Sequence, residues 1–516
     1  MNTIQLTDNQ DKIYNSLINF INNTVDNELL LIGYAGTGKT TLITKFINDL
    51  INKKLCKRIV IAAPTHKAVN IAKSKLFSSS NNNLSNLIDI MTIHRLLNYQ
   101  NYIDVNGTTY FAKSASDTNW SIYNLVVIDE CSMLSNQIIN DIISEIQKST
   151  NTKLKIIYVG DPAQLPPVNQ TDSKIFNRNI KKLTLDKIIR TNCYQIMELS
   201  NAHRKWIISN NDNDIPNISN YTDEKIILYN NEEWIKWLSK FIEMTKNPTN
   251  TNLGDLNNNI ILTWTNKKCN KYNQFVREKI FNKKELDKYE LGEILIFNDF
   301  HKITNLDDET NSISFYTSEQ VKLSDINQGK YKFNKLKNLK NNEIPSNISD
   351  LFVKIISNIN KKLNNLEVNV YNMEIQRLSE LINNNILYKI LSIHQSSENV
   401  YNKLITYFEE EMLKLKNKCY ALIDNLKIDN MIKCDYLCIV DKKINRIWKE
   451  WQTNVIDNFA QLNYGYSITV HKSQGSTFQN VFIDIFDIFD NRNKNETLKC
   501  LYTAITRSSN SLILLI

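Results

Sequence analysis

The residues most clearly suited to chemistry lie in one glycine-rich segment. Residues 33–40, Gly-Tyr-Ala-Gly-Thr-Gly-Lys-Thr, match the phosphate-loop pattern G-x-x-x-x-G-K-[ST]. Glycines let backbone N–H groups curl around phosphate oxygens, and the N-terminus of a following helix adds positive potential. In such a loop Lys39 neutralises the β- and γ-phosphates, and the Thr40 hydroxyl holds Mg²⁺. The segment predicts a nucleoside triphosphate site; a purely structural Gly-rich turn is the alternative that its strand–loop–helix context disfavours.

An acidic pair supplies the second part of the predicted site. Residues 125–130, Leu-Val-Val-Ile-Asp-Glu, form an apolar strand that ends in two carboxylates. At that strand end Asp129 is placed for the Mg²⁺ shell, and Glu130 is placed to orient and deprotonate an attacking water. An isolated acidic pair is usually only solvated, but after a phosphate loop the catalytic interpretation is favoured. ATP and Mg²⁺ are therefore the predicted cofactors, with Thr40 and Asp129 as metal ligands.

The elements that must position these residues follow an α/β pattern. Short apolar runs alternate with segments of helical periodicity in the first part of the chain, which predicts a domain with a parallel sheet. A second set of apolar runs predicts a second α/β domain. The predicted strands are residues 29–32, 58–63, 125–128 and 155–159 in the first domain, and residues 260–264, 481–485 and 511–516 in the second.

Two insertions interrupt this pattern. Asn106-Gly107 between alternating strands is a strong hairpin signal, so residues 98–120 are predicted to be a small β-hairpin inserted into the first domain. The second insertion covers residues 291–450. It opens with strand-like pieces and then turns polar and helical, with one apolar face over residues 401–426. The segment Tyr436–Val440 is predicted to be its closing strand.

Composition limits the classes of function. The 516 residues carry a net charge of +8, which permits a polyanionic partner without showing one. No run of about eighteen uncharged apolar residues and no signal-peptide pattern is found, so a membrane or secreted protein is disfavoured and a cytoplasmic one is expected. Eight scattered cysteines predict reduced thiols and no zinc site. The abundant residues Asn, Lys and Ile can each be encoded by a codon made only of A and T. Their abundance indicates an AT-rich genome and suggests a phage or viral protein.

Five further segments narrow the function. They are residues 63–69 (Ala-Pro-Thr-His-Lys-Ala-Val), 91–97 (Met-Thr-Ile-His-Arg-Leu-Leu), 160–168 (Gly-Asp-Pro-Ala-Gln-Leu-Pro-Pro-Val), 466–475 (Tyr-Ser-Ile-Thr-Val-His-Lys-Ser-Gln-Gly) and 502–507 (Tyr-Thr-Ala-Ile-Thr-Arg). In this order, with the phosphate loop, they resemble the superfamily 1 helicases, specifically the RecD/Dda-like group of superfamily 1B. The resemblance covers both α/β domains and almost none of the second insertion.

The resemblance implies a fold of two RecA-like P-loop domains in tandem. Domain 1A would cover residues 1–190, with the hairpin as insertion 1B. Domain 2A would cover residues 191–290 and 451–516, interrupted by insertion 2B at residues 291–450. The strand-like edges of that insertion resemble the family's SH3-like subdomain, and its helical middle resembles an arm.

Roles at the nucleotide also follow from the resemblance. Gln10 would pair with the N6/N7 edge of adenine, Gln164 would sense the γ-phosphate, and Arg190 and Arg507 would act as arginine fingers. The alternatives are an ordinary polar residue at Gln10, a structural amide at Gln164 and a surface arginine at Arg190. The predicted nucleotide-binding residues are Gln10, Gly33, Ala35, Gly36, Thr37, Gly38, Lys39, Thr40, Thr41 and Gly475.

The same motifs hold hydroxyl and imidazole groups that suit the phosphate oxygens of a strand. The hairpin occupies the place of the family's strand-separating pin, where an aromatic ring can stack on the terminal base pair. Alternatively these rings pack the hairpin onto its domain, and Trp264 belongs to a core. The predicted strand-contacting residues are Pro64, Thr65, His66, Thr92, His94, Tyr102, Tyr110, Phe111, Trp264, Thr469, His471 and Ser473.

The resemblance therefore implies an ATP-dependent DNA helicase. It would move 5′-to-3′ on single-stranded DNA and unwind duplex during replication, recombination or repair. The expected partners are single-stranded DNA and single-strand/duplex junctions, with a single-strand-binding or replisome protein as a further candidate, and we expect a monomer that contacts no membrane. The alternatives left open are an RNA helicase, a protein-displacing translocase and a non-catalytic ATP-gated clamp.

Overall fold

A computed structural model describes residues 6–77, 87–114, 118–167, 170–186, 193–209, 211–246, 259–304, 312–337, 343–378 and 386–516. The chain forms two units. Residues 1–99, 113–284 and 464–516 build the first unit, and residues 100–112 and 285–463 build the second. None of the described helices is long and apolar enough to cross a bilayer.

The first lobe of the first unit is a six-stranded sheet in which every pairing is parallel, in the order β3-β2-β6-β7-β1-β8. Its elements, with the hairpin strands β4 and β5, are α1 (Asp8–Asn22), β1 (Glu28–Gly33), α2 (Lys39–Asn52), β2 (Ile59–Ala63), α3 (His66–Phe77), β3 (Ile88–Thr92), α4 (Ile93–Leu96), β4 (Tyr99–Ile103), β5 (Thr109–Lys113), β6 (Leu125–Ile128), α5 (Asn136–Lys148), β7 (Lys155–Gly160) and β8 (Lys181–Leu185). Successive residues of one strand enter different cores: Ile59 and Ile61 face α1 and α2, whereas Val60 faces α5. Helices thus cover both faces, which is why these strands are continuous apolar runs.

The rest of the chain supplies the second lobe and the inserted unit. In chain order its elements are α6 (Tyr194–Ser209), β9 (Ile226–Tyr229), α7 (Trp234–Lys246), β10 (Asn259–Thr263), α8 (Asn266–Phe281), β11 (Ile294–Phe297), β12 (His301–Thr304), β13 (Ser312–Phe315), β14 (Gln320–Lys332), α9 (Ser346–Asn364), β15 (Glu367–Arg377), β16 (Tyr388–Ile393), α10 (Gln395–Asp424), α11 (Asn430–Trp451), β17 (Leu462–Tyr464), β18 (Ser467–Thr469), β19 (Phe478–Asp484), α12 (Ile485–Phe489), α13 (Lys494–Ile505) and β20 (Ser508–Leu515). The second lobe is the parallel sheet β18-β10-β19-β20-β9 with its helices. The predicted second α/β domain is therefore confirmed.

The second unit is built differently. Its sheet has the order β16-β15-β14-β11-β17, and β14 and β15 pair antiparallel from Val321↔Arg377 to Lys332↔Glu367. Helices α9, α10 and α11 share one apolar core, in which the Phe408 and Trp451 rings stack with centroids 3.8 Å apart. The apolar face predicted within residues 401–426 is the buried face of α10.

Two expectations for this insertion were wrong. The predicted closing strand Tyr436–Val440 lies inside α11, because Val440, Ile444 and Ile447 recur at helical spacing and bury one face. The stretch predicted to be polar and helical also contains β15 and β16, and β14 extends to Lys332. In β15 the buried side chains alternate only briefly with exposed polar ones, which weakens the strand pattern.

The predicted hairpin exists, but its contacts belong to the second unit. Asp104 closes its turn by accepting hydrogen bonds from the backbone N–H groups of Asn106 and Thr108, each at 2.8 Å. Gly107 has φ +84° and packs so closely on the Trp448 ring of α11 that a Cβ would lie 2.4 Å from it. The hairpin is inserted into the first lobe along the chain, yet it is anchored on the arm formed by α9, α10 and α11.

Candidate nucleotide site and strand-contacting residues

The phosphate loop joins β1 to α2 in a conformation that requires glycine. Gly36 and Gly38 have φ angles of +81° and +78°, in the left-handed region. Gly33 is needed for a different reason: a Cβ there would lie 2.6 Å from Lys39 Cγ. Lys39 Nζ donates to the carbonyl oxygens of Gly33 at 2.6 Å and Tyr34 at 3.2 Å. The loop therefore holds an ammonium group among oxygen acceptors, and phosphate oxygens are stronger acceptors of the same kind.

One cavity of about 440 Å³ brings the two lobes of the first unit together. It is lined by Thr7, Gln10, Ala35, Gly36, Gly38, Lys39, Thr40, Thr41, Ala68, Ile71, Lys75, Asp129, Glu130, Gln164, Gly475, Thr477 and Arg507. Every predicted catalytic residue that the structure describes is among them. Of the predicted nucleotide-binding residues, Gly33 and Thr37 are not in the lining, and Thr37 is buried and donates its hydroxyl to Tyr34 O at 2.8 Å. The predicted finger Arg190 lies outside the described residues.

The two carboxylates lie where β6 ends. Asp129 Oδ1 accepts a hydrogen bond from the Glu130 N–H at 2.9 Å. Loss of solvation, and then the charge of Glu130, raise the pKa of Asp129 to about 6, and the charge of Lys39 opposes this rise. Glu130 has φ +51°, a left-handed conformation that costs a non-glycine residue about 1–2 kcal/mol. A strained backbone at this position fits a functional residue.

The donor set at this point suits Mg²⁺. The Thr40 hydroxyl and the Asp129 carboxylate are hard oxygen ligands, and both residues line the same cavity. The repulsion between Asp129 and Glu130 would be relieved by a divalent cation. The residues present therefore fit the predicted metal.

Arg507 reaches the cavity from the second lobe. It lies directly after α13 and is only 2% exposed. Its Nε donates to Thr503 O at 3.0 Å, and its Nη1 donates to Ser476 O at 3.2 Å. Backbone carbonyls of its own lobe therefore hold a permanent cation on the wall opposite the phosphate loop.

A buried carboxylate links the lobes behind the cavity. Asp161 Oδ2 accepts from the Ala35 N–H at 2.8 Å and from the Tyr502 hydroxyl at 3.0 Å. The Leu165 N–H donates to Thr503 Oγ1 at 3.2 Å. Asp161 and Tyr502 lie in segments already singled out in the sequence, where only Gln164 and Arg507 had been given roles. Asp161 and Tyr502 are far apart in the chain, so no local pattern predicts their contact.

Comparison with known proteins agrees with this geometry. Residues 19–170 match the family model of an AAA domain, and residues 464–515 match the UvrD-like helicase C-terminal domain. The chain is 32% identical to "Uncharacterized protein R530" of Acanthamoeba polyphaga mimivirus, over 96% of this chain and 97% of that protein. It is 28% identical to the RecBCD enzyme subunit RecD of Buchnera aphidicola, over 94% and 69% of the two chains. It is 26% identical to the ATP-dependent DNA helicase dda of Enterobacteria phage T4, over 57% and 61%.

The chain belongs to the superfamily 1B helicases. Its two lobes are the tandem RecA-like domains expected for this family. The crystal structure of the Pif1 helicase from Candida albicans also matches, with a TM-score of 0.45 and 14% identity over 99% of this chain and 95% of that one.

A contact that the sequence did not signal holds the phosphate loop of this helicase. The Arg204 guanidinium, on α6 of the second lobe, lies 3.7 Å from the centroid of the Tyr34 ring. Among the described residues, Arg204 Nη1 is buried without a hydrogen-bond partner. This cation–π pair is a second bridge between the second lobe and the loop.

Gln10 contacts the loop rather than solvent. It lies in a capping box with Thr7, whose N–H donates to Gln10 Oε1 at 3.1 Å, and its Nε2 donates to Thr37 O at 3.1 Å. An amide has two donor hydrogens and two acceptor lone pairs. One of each therefore remains for a ligand in the cavity that Gln10 lines.

The strand-contacting residues predicted in the first lobe lie at helix starts after β2 and β3. Pro64 directly follows β2. Thr65 Oγ1 accepts from the Ala68 N–H at 3.2 Å, and Thr92 Oγ1 accepts from the Arg95 N–H at 3.3 Å. Loss of solvation lowers the pKa of His66 to about 4, and it also lowers the pKa of His94, which packs edge-on against Tyr99. The lowered pKa favours the neutral form of each imidazole, which can still donate one hydrogen bond to a phosphate oxygen.

The candidates in the second lobe differ in access. Trp264 is partly exposed, and its ring lies 5.1 Å from that of His471. Thr469 is mostly buried, and Ser473 is fully buried with its hydroxyl donated to Val470 O at 2.6 Å. In this conformation the Ser473 side chain faces the interior, which disagrees with its predicted contact to the nucleic-acid strand. Asp487, which the sequence did not single out, anchors the Trp264 loop by accepting from its N–H at 2.6 Å.

Two of the three predicted hairpin aromatics are exposed, and Tyr102 is partly buried. The rings of Tyr102 and Tyr110 stack at 5.9 Å, Tyr110 is 48% exposed, and Phe111 is 63% exposed. Ile103 and Val105, and not these rings, pack against the helical core of the arm.

Proposed function

We propose that this helicase hydrolyses ATP to move 5′-to-3′ along single-stranded DNA and to unwind duplex DNA during replication, recombination or repair. The observation that carries the proposal is the single cavity in which Lys39 and Glu130 of the first lobe face Arg507 of the second. The similarity to the ATP-dependent DNA helicase dda of phage T4 supports DNA as the substrate. The direction rests on the family resemblance of the motifs.

Five residues of the cavity have a role in the proposed hydrolysis, namely Lys39, Thr40, Asp129, Glu130 and Arg507. Lys39 neutralises charge on the β- and γ-phosphates, and Glu130 orients the attacking water and takes its proton. Mg²⁺, when held by Thr40 and Asp129, supplies positive charge to the phosphates. Arg507 stabilises the charge of the transferring phosphoryl group, a contribution worth about 10³–10⁵ in rate. We assign the same class of role to Arg190.

Movement follows from which lobe carries each group. Arg507 contacts the γ-phosphate only when the second lobe approaches the first, so the triphosphate favours a closed cleft and its hydrolysis releases it. Candidate strand contacts lie on both lobes, at Thr65 and His94 of the first and at Trp264 and His471 of the second. Opening and closing would therefore change the distance between two grips on one strand.

A strand-displacement assay tests the proposal. Duplexes with a 5′ tail or a 3′ tail are compared, in DNA and in RNA, for the wild-type chain and for Lys39→Ala. We expect ATP-dependent unwinding of the 5′-tailed DNA only, and none by the variant. Equal unwinding of both tails would contradict the direction, and unwinding of RNA alone would contradict the substrate. Displacement of a bound protein without unwinding would identify a translocase, and absence of strand-stimulated hydrolysis would identify a clamp.

A further inference from the structure

A second large cavity lies entirely within the second unit. It measures about 680 Å³ and runs between strand β4 of the hairpin and helix α11. We call it the hairpin–arm groove: residues 100–103 form one wall, and Lys442, Arg446 and Lys449 of α11 form the other. None of the groove residues belongs to the first unit, where the nucleotide cavity and the motifs of the two lobes lie.

The α11 wall is a stripe of cations. Lys442, Arg446 and Lys449 are four and three residues apart, so they project from one face of the helix, and all three are exposed. None of them forms an ion pair within the described part of the chain. The stripe is about 10 Å long at 1.5 Å per residue. A row of three cations of this length can contact consecutive phosphates of one strand.

The whole groove is positive. It is lined by four basic residues, the fourth being the buried Lys443, and by the two carboxylates of Glu343 and Asp457. Lys443 lies 4.8 Å over the Phe352 ring and serves the core. The three exposed cations therefore have no structural task that the described contacts reveal, and they suit a polyanion.

The hairpin wall supplies an aromatic surface. Tyr102 lines the groove and is backed by the stacked ring of Tyr110. The wall is rigid, because Gly107 packs on Trp448 and Lys416 Nζ donates to Asn106 Oδ1 at 2.7 Å. A fixed ring opposite a row of cations is the arrangement that binds unpaired nucleotides, whose bases stack while their phosphates pair with the cations. The interior base pairs of a duplex, with their bases already stacked, cannot use the ring in this way.

We propose that the hairpin–arm groove binds the single DNA strand that the motor does not track. The inference rests on the proposed helicase function, because strand separation leaves two strands and the candidate contacts in the two lobes engage only one. Apart from Tyr102 of the hairpin, the groove contains none of the predicted strand-contacting residues, and it has the charge and the aromatic surface that a second strand needs.

The first test compares two triple variants of equal charge. The groove variant carries Lys442→Gln, Arg446→Gln and Lys449→Gln. The control carries Lys403→Gln, Lys414→Gln and Lys418→Gln on α10, where none of the three lines the groove. Affinity is measured for a fork with two tails and for the same duplex with only the tracking tail. Thermal unfolding of each variant verifies that it is folded.

We expect the wild type and the control to bind the fork more tightly than the tailed duplex, on the order of tenfold, and the groove variant to lose this preference. Its plot of log affinity for the fork against log salt should be shallower by about 2, because each phosphate contact with a single strand contributes about 0.7. Unchanged fork preference in a folded groove variant would overturn the proposal.

A cross-link identifies the strand. Bromodeoxyuridine is placed in one tail or the other, and irradiated complexes are mapped by mass spectrometry. We expect attachment at Tyr102 from the non-tracking tail, and attachment from the tracking tail alone would overturn the proposal. Stimulation of wild-type ATP hydrolysis by oligo(dT) separates the two levels. If oligo(dT) stimulates ATP hydrolysis but the wild type shows no preference for the fork, only the groove proposal is wrong. If oligo(dT) does not stimulate ATP hydrolysis, the proposed helicase function is wrong.

Discussion

The nucleotide cavity of the first unit and the hairpin–arm groove of the second are built on different principles. In the first unit, the loops after the parallel strands β1 and β6 bring Lys39 and Glu130 to one place, and Arg507, between α13 and β20, lines the same cavity. In the second unit, an antiparallel hairpin packs on helices, and the groove is made of exposed side chains from elements far apart in the chain.

This difference determines how each region should respond to substitution. The cavity fixes single atoms through backbone geometry, so one change there removes a catalytic group or displaces it. The groove spreads its attraction over several exposed charges, so its losses should be graded and dependent on salt. Four comparisons of variants test how each region responds.

The largest effect is expected for Arg507→Ala. Loss of the guanidinium should slow ATP hydrolysis by about 10³–10⁵ while nucleotide affinity changes far less, because the group acts mainly on transition-state charge. Single-turnover hydrolysis measures the effect, and Arg492→Ala, an exposed arginine of the same lobe, is the matched control. Hydrolysis within tenfold of the wild type in a folded Arg507→Ala chain would be incompatible with the finger role.

Two glycines give the next comparison. Gly33→Ala places a methyl group 2.6 Å from Lys39 Cγ and should displace that side chain, with a loss on the order of 10² in hydrolysis. Gly292→Ala, in the second unit at φ +83°, meets nothing within 4 Å and should lower the free energy of unfolding by about 1 kcal/mol without changing hydrolysis. Equal rates of hydrolysis in the two variants would show that a methyl group at position 33 does not displace the Lys39 side chain.

Phe111→Ala tests the hairpin. The ring is 63% exposed, so its loss should leave the thermal unfolding temperature nearly unchanged. If the ring stacks on a base, unwinding should slow about tenfold, since such stacking is worth about 1–3 kcal/mol. Strand-displacement rates measure it, with Phe111→Tyr as the variant that keeps an aromatic ring. A fall in stability without a fall in unwinding would show that the ring only packs.

The smallest effect is expected for Arg204→Ala. Its cation–π contact with Tyr34 is worth about 0.5–2 kcal/mol. The KM for ATP should rise about fivefold and kcat should change less, because the contact positions the phosphate loop without reaching the reacting atoms. Tyr34→Phe, which keeps the ring, should behave like the wild type in steady-state kinetics. A loss confined to kcat would point instead to direct action on the phosphates.

The sequence predicted the cavity better than the insertion for a physical reason. Lys39 and Glu130 lie in short segments whose pattern is local, and Arg507 lies in a short segment that resembles a motif of the family. The Tyr34–Arg204 pair joins a loop of one lobe to a helix of the other, and no local pattern signals it. The strand prediction for Tyr436–Val440 was wrong because a short apolar run fits either a strand or a buried helix. Packing against α9 and α10 determines which of the two forms. The anchoring of Gly107 on Trp448 is likewise a tertiary fact.

The most direct test of the account is a crystal structure of the chain with ADP and aluminium fluoride, a mimic of the transferring phosphoryl group. The account predicts that the Lys39 ammonium and the Arg507 guanidinium both donate hydrogen bonds to the fluoride. It would be contradicted if the mimic were bound at Lys39 while Arg507 remained bonded to the carbonyl oxygens of Thr503 and Ser476, with no donor to the fluoride.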